Sequence, residues 1–149
     1  MTIYFATDHA GFELKEKLLA YVRDVLGYTV EDCGAFVSTE GDDYPEFIRV
    51  AASAVSKNPH DAKAIILGGS GQGEAIVANR FPHVRAVVYY GYNTDILRLS
   101  REHNDANVLS FGARFVTVEE AQEAVALWLS TPFHEEARHV RRISQIDQL

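Results

Sequence analysis

Cysteine is nearly missing from this chain: Cys33 is the only one in 149 residues. An internal disulfide is thereby excluded, no Cys/His grouping has the spacing of a structural zinc site, and a reducing cytoplasm is the default setting. Long apolar runs are missing as well. No stretch of about 18 apolar residues occurs, and the N-terminus enters a strand-like segment without a basic region and apolar leader, so neither a membrane span nor secretion is expected. Positive charge is scarce. Lys and Arg number 14 against 21 Asp and Glu, a net charge of −7, which argues against a nucleic-acid partner. Repeats, low-complexity tracts and linkers are absent too, so one domain over residues 1–149 is expected. What remains is an ordinary globular balance, 47% hydrophobic and 23% charged, in a chain long enough to bury about 70% of its unfolded surface.

Strand and helix patterns alternate along that chain. Thr2 to Ala6 is a short run with aromatic and β-branched residues, the pattern of a buried strand. Phe12, Leu14, Leu18, Leu19, Val22, Val25 and Leu26 recur at helical spacing until Gly27, which takes a C-cap position. Tyr28 to Asp32 reads as a second strand, Cys33 to Asp43 as a loop, and Pro45 as the first turn of a second helix. Ala64 to Leu67 is the third strand, Ala86 to Tyr90 the fourth, with a helix from about Thr94 to Glu102, and Val108 to Phe111 the fifth. Thr117-Val118-Glu119-Glu120 has the form of a capping box opening a helix through Leu129, and a last helix is expected from about His134 to Asp147. Five such alternations predict an α/β, Rossmann-like three-layer sandwich, with a five-stranded parallel sheet and helices on both faces. Ligands in such sheets lie beyond the carboxyl ends of the strands. That rule brings Asp8-His9, Gly68 to Gly73 and Gly112-Ala113-Arg114 to one edge.

The third strand leads into Gly68-Gly69-Ser70-Gly71-Gln72-Gly73-Glu74 and then a helical segment. Four glycines and a serine in six positions let main-chain N–H groups approach an anion closely, with the positive end of the next helix aimed at the same place. Three common motifs fail here at named residues. An NTPase phosphate loop needs Gly-Lys-Ser/Thr where Gly73-Glu74-Ala75 stands; the dinucleotide pattern started at Gly69 needs glycine at Glu74; the hydrolase elbow centred on Ser70 needs glycine at Gln72. Glu74 is the odd member, because an acid would repel a phosphate. It reads either as a base beside donors that stabilise an oxyanion formed by proton removal, or as a first-turn acid favoured by the helix dipole.

Other candidates carry paired readings too. Asp8-His9 could position or protonate a substrate oxygen, or form a turn in which Asp8 bonds its own backbone. His103-Asn104 lies at the end of the fourth helix, where a histidine can also be a helix-end cation. Arg138 and Arg142, four apart, share a face and offer two forks to one phosphate, or simply form a solvated helix end. Ser70 fits a hydroxyl that holds an oxygen better than a nucleophile, since no histidine or acid near it in sequence suggests a triad. Together these residues supply a base, an oxyanion cradle, a proton shuttle and phosphate forks, the kit for moving a proton between neighbouring carbons of a sugar phosphate.

The same residues form motifs that run in order from end to end: Asp8-His9-Ala10-Gly11-Phe12-Glu13-Leu14-Lys15, Asp43-Tyr44-Pro45, Gly68 to Glu74 with Ala78-Asn79-Arg80, Ser100-Arg101-Glu102-His103-Asn104, Phe111-Gly112-Ala113-Arg114 and Arg138-His139-Val140-Arg141-Arg142. This set closely resembles the type B ribose-5-phosphate isomerase family, which also contains galactose-6-phosphate isomerase subunits. The resemblance implies interconversion of ribose 5-phosphate and ribulose 5-phosphate, no metal and no cofactor, and a homodimer or dimer of dimers with sites at the dimer interface. By the same likeness His103 opens the furanose ring with Asp8 assisting. His9, Arg114, Arg138 and Arg142 hold the phosphate, some from the partner chain. The amides of Gly69, Ser70, Gly71, Gln72 and Gly73 stabilise the enediolate, and Tyr44 and Asn104 line the sugar pocket. Many members carry a cysteine base where this chain has Gly68; Glu74 resembles the base of the glutamate subgroup. Two other readings stay open: an isomerase of a six-carbon sugar phosphate, such as allose or galactose 6-phosphate, and a non-catalytic phosphate- or nucleotide-binding module, which leaves Glu74 and His103 without work.

Overall fold

The computed structural model describes residues 1–149. Five strands, β1 (Thr2–Thr7), β2 (Thr29–Asp32), β3 (Ala62–Gly68), β4 (Ala86–Tyr89) and β5 (Val108–Gly112), form one sheet in the order β2-β1-β3-β5-β4. Every pairing is parallel, with Ile65 opposite both Phe5 and Leu109 at the centre. The helices are α1 (Phe12–Asp24), α2 (Tyr44–Lys57), α3 (Gln72–Ala78), α4 (Asp95–Asn104), α5 (Val118–Ser130) and α6 (Ala137–Ile146). A 3-10 turn over His9–Gly11 precedes α1.

Why the central strands are continuous apolar runs follows from the layers. Ile3, Phe5, Ile65, Leu67, Leu109 and Phe111 join α1, α4 and α5 in one core, around a fully buried Trp128. Ala6, Ala64, Ile66 and Val108 join α2 and α3 in the other. A strand buried on both faces has no polar side to alternate with. The expected three-layer α/β sandwich is therefore present. The Thr117 capping box also forms, with the Thr117 hydroxyl accepting from the Glu120 N–H at 3.2 Å and the Glu120 carboxylate accepting from the Thr117 N–H at 2.8 Å.

The last helix is shorter than expected. It begins at Ala137, not near His134, because Glu135 takes a left-handed φ of 43° and Glu136 an extended conformation, neither of which continues a helix.

Chain direction now separates the molecule into two edges. Each helix that follows a parallel strand must run back to start the next. The loops after β1, β3 and β5 and the start of α2 therefore lie at the carboxyl edge of the sheet. The end of α4, which leads into β5, lies at the amino edge, together with α6, which follows the end of α5.

Candidate active site

The connections from β1 and β3 leave in opposite directions, so the carboxyl ends of these neighbouring strands are the topological switch point of the sheet. A cleft of about 430 Å³ opens there, lined by Asp8, His9, Tyr44, Ser70, Glu74 and Arg114 among others. Gly69 and Gly73 line it, and the loop that carries them is glycine-rich for steric reasons. Gly71 caps α3 with φ of 76°, and a Cβ on it would sit 2.8 Å from the Phe111 carbonyl carbon. The Ser110 hydroxyl donates to the Gly71 carbonyl at 2.7 Å, and the Thr7 hydroxyl to the Leu67 carbonyl at 3.0 Å, tying loop and strand ends together. Within the chain, the main-chain N–H groups of Gly69, Ser70 and Gly71 have no partner. They are donors held ready.

Glu74 is 4% exposed, and its carboxyl lies directly against Gly68; a Cβ on Gly68 would overlap it. The carboxylate thus fills the volume that any side chain at position 68 would need. Burial pushes the Glu74 carboxyl above the usual carboxylate range; its own main-chain N–H opposes the shift and the Asp8 charge adds to it. Such a group is a stronger base than a solvated carboxylate. Cys33, by contrast, is held inert, since burial pushes its thiol up to about 12.

Around this carboxyl the cleft is polar. Asp8 is buried and accepts from the Ala10 N–H at 2.9 Å, the turn expected of an Asp there, while its carboxylate still lines the cleft. His9 donates its main-chain N–H to Asp42 Oδ1 at 2.9 Å, and its ring Nδ1 lies 2.6 Å from the same oxygen. Arg114 lies over Gly69, where a Cβ would stand 3.2 Å from the guanidinium carbon, and Tyr44 packs against Gly73 in the same way. Gln72 is exposed and, with Gly71, lies outside the cleft lining, so Gln72 opens α3 and Gly71 shapes its start. Asp42 escaped the sequence reading. It lies 33 positions from His9 in the chain, so no local pattern connects the two.

His103, Asn104, Arg138 and Arg142 are at the other edge. Arg101 builds that end of α4: its guanidinium donates to Asp105 Oδ1 at 2.7 Å, to the Ala106 carbonyl at 2.6 Å and to the Thr131 carbonyl at 3.3 Å, and lies over Trp128. The His103 ring then stacks on His139, centroids 4.4 Å apart and planes 12° from parallel. Burial keeps His139 below its usual titration range, with His103 and Arg138 adding to the effect and Glu136 opposing it. Arg138 pairs with Glu136 at 2.9 Å, and Arg138, Arg142 and Asn104 are exposed. One chain therefore gathers base, amides, His9 and Arg114 in one place, and His103, Asn104 and the two helical arginines in another. No helix is long and apolar enough to cross a membrane.

Known proteins share this sequence pattern and fold. The family described as Ribose/Galactose Isomerase matches residues 3–146. A Mycolicibacterium paratuberculosis protein named ribose-5-phosphate isomerase B is 42% identical over 143 residues, spanning 96% of this chain and 87% of that protein. The Escherichia coli protein of the same name is 40% identical over 145 residues, 97% of this chain and 93% of that one. Among solved structures, Mycoplasma genitalium ribose-5-phosphate isomerase B with bound ribulose-5-phosphate superposes with a TM-score of 0.92 at 33% identity, covering 99% of this chain and 94% of its own.

Proposed function

The chain belongs to the Ribose/Galactose Isomerase family, and on that premise we propose that it interconverts ribose 5-phosphate and ribulose 5-phosphate by proton transfer through a cis-enediolate. The observation that carries the mechanism is the buried Glu74 carboxyl, set against Gly68 beside unpartnered loop amides. In the open-chain aldose the Glu74 carboxylate takes the proton from C2. The electron pair of the broken C–H bond forms the C1–C2 double bond, and charge moves to the carbonyl oxygen at C1. The N–H groups of Gly69 and Ser70, with the Ser70 hydroxyl, hold that oxyanion, and Gly71 shapes the loop that presents them. Glu74 returns the proton to C1 as the O2 hydroxyl proton passes to O1, leaving a ketone at C2 and a hydroxyl at C1. C2 is oxidised as C1 is reduced, so the electron balance closes within the substrate. Asp8 orients the sugar hydroxyls, Tyr44 walls the sugar, and His9 and Arg114 hold the phosphate.

Ring opening falls to His103, with Asn104 beside it and Arg138 and Arg142 on the phosphate, all from a second copy of the chain. Topology supports this sharing: the two groups of residues sit at opposite edges of one sheet, and a two-fold axis that sets edge on edge completes two equal sites. Exposed apolar residues support a partner as well. Ile76 on α3, Ile96 and Leu99 on α4, and Tyr90 and Tyr92 after β4 flank the β4 edge of the sheet. A dimer or dimer of dimers, acting in the cytoplasm with residues 1–149 as one catalytic domain, belongs to the same reading.

The test is exchange of the C2 proton of ribose 5-phosphate in heavy water, followed by NMR for the wild type and Glu74→Gln. Exchange with formation of ribulose 5-phosphate, lost in the variant, is expected. A wild type that binds the sugar phosphate and never exchanges the proton contradicts the proposal.

A further inference from the structure

His9 has an unusual anchor. Asp42, in the loop between β2 and α2, accepts the His9 main-chain N–H and faces its ring Nδ1 through a single oxygen, Oδ1. Its other oxygen, Oδ2, is buried and has no hydrogen-bond partner. The side chain is 13% exposed, so this carboxylate cannot swing out to water without breaking both bonds. The loop that carries it is pinned at its start. The buried Lys15 ammonium donates to both Asp32 oxygens and to the Ala35 carbonyl, each at 2.7 Å.

We propose that Asp42 is a positioning residue for phosphate recognition, fixing the His9 ring through Nδ1 so that Nε2–H is presented to the substrate's phosphate. The proposal rests on the reading of the cleft as a sugar-phosphate site. With Nδ1 committed to Asp42, Nε2 is the ring's free nitrogen, and the tautomer and orientation are no longer left to the substrate. Asp42 Oδ1 raises the affinity of His9 for its second proton most, opposed by burial; the charges of Asp8, 4.0 Å away, and Asp42 add to the rise and Arg114 lowers it. Glu74 and Tyr44 are the other titratable groups in the cleft. A doubly protonated imidazole on a dianionic phosphate is a charge-assisted donor, roughly twice as strong as a neutral one.

Asp42→Asn keeps the size and removes the charge. In NMR of the histidine rings, His9 in the variant is expected to titrate at lower pH than in the wild type. KM for ribose 5-phosphate at pH about 7.5 should rise roughly tenfold, as expected when one charge-assisted hydrogen bond is weakened. The gap should narrow as the pH is lowered, and kcat should fall far less than KM rises. Asp42→Glu, which keeps the charge, should recover part of the loss. Asp42→Asn placed on His9→Asn should add nothing. An unmoved His9 titration, or a KM rise that persists on the His9→Asn background, overturns the proposal. If the wild type isomerises no sugar phosphate, the reaction assignment fails, and inorganic phosphate becomes the probe. Phosphate that shifts the His9 Nε2 signal in the wild type and not in Asp42→Asn supports the positioning role, and equal shifts in both overturn it.

Discussion

At the carboxyl edge of the sheet Glu74 and Asp8 are buried and the loop is shaped by glycines that admit no Cβ, whereas at the amino edge Asn104, Arg138 and Arg142 stand exposed. The first region holds its polar groups in place without help. The second has His103 stacked on a buried His139 but leaves its cations to solvent. The contrast fits the proposed division of labour, in which proton transfer needs a dry, preorganised carboxylate, and the edge of a partner adds ring opening and further phosphate contacts to those of His9 and Arg114.

The largest effect that sharpens this contrast is expected at Glu74. Glu74→Gln should lower kcat by about 10³-fold while substrate still binds. Because the folded carboxyl is raised, the folded state holds its proton to higher pH than the unfolded chain, so ionisation of Glu74 costs stability as pH rises through that range. The variant should therefore melt at a higher temperature than the wild type at neutral pH, with the difference closing in acid. In the wild type, kcat/KM should fall on the acid side at a pH above the usual carboxylate range. A melting difference of the opposite sign would show that Glu74 is stabilised as an anion.

Gly68→Ala tests the same edge sterically. Its methyl takes the volume of the Glu74 carboxyl, and displacement of the base by about 1 Å should cost about 10²-fold in kcat with the fold intact by circular dichroism. At the opposite edge Arg142→Ala should act on binding instead, raising KM roughly tenfold through one lost charge-assisted contact with little change in kcat. The smallest effect belongs to neither edge's chemistry. Thr117→Ala removes the cap of α5 and should cost about 1 kcal/mol in chemical denaturation, leaving activity unchanged.

Local patterns made much of this legible. The apolar runs and the glycine loop announced the strands, the switch-point cleft and Glu74, because a strand buried on both faces and a loop without side chains leave plain signatures. The capping box was readable for the same reason, being contained in four residues. What escaped depends on distance or on backbone geometry. Asp42 reaches His9 across 33 positions, and the delayed start of α6 follows from the left-handed Glu135, where glutamate gives no hint of a positive φ. That His103 and Glu74 lie apart is a matter of chain direction. The helix after β4 must run back to the amino edge, a consequence of the parallel strand–helix alternation and not of any motif around His103.

Mixing two inactive variants tests the shared site most directly. Glu74→Gln subunits retain His103, and His103→Ala subunits retain Glu74. Unfolded together and refolded in equal amounts, half of the dimers should be mixed, each with one intact and one doubly altered site. The account predicts recovery of about a quarter of wild-type turnover of ribose 5-phosphate from two nearly inactive parents. A mixture that forms mixed dimers and stays at the level of its parents would contradict it.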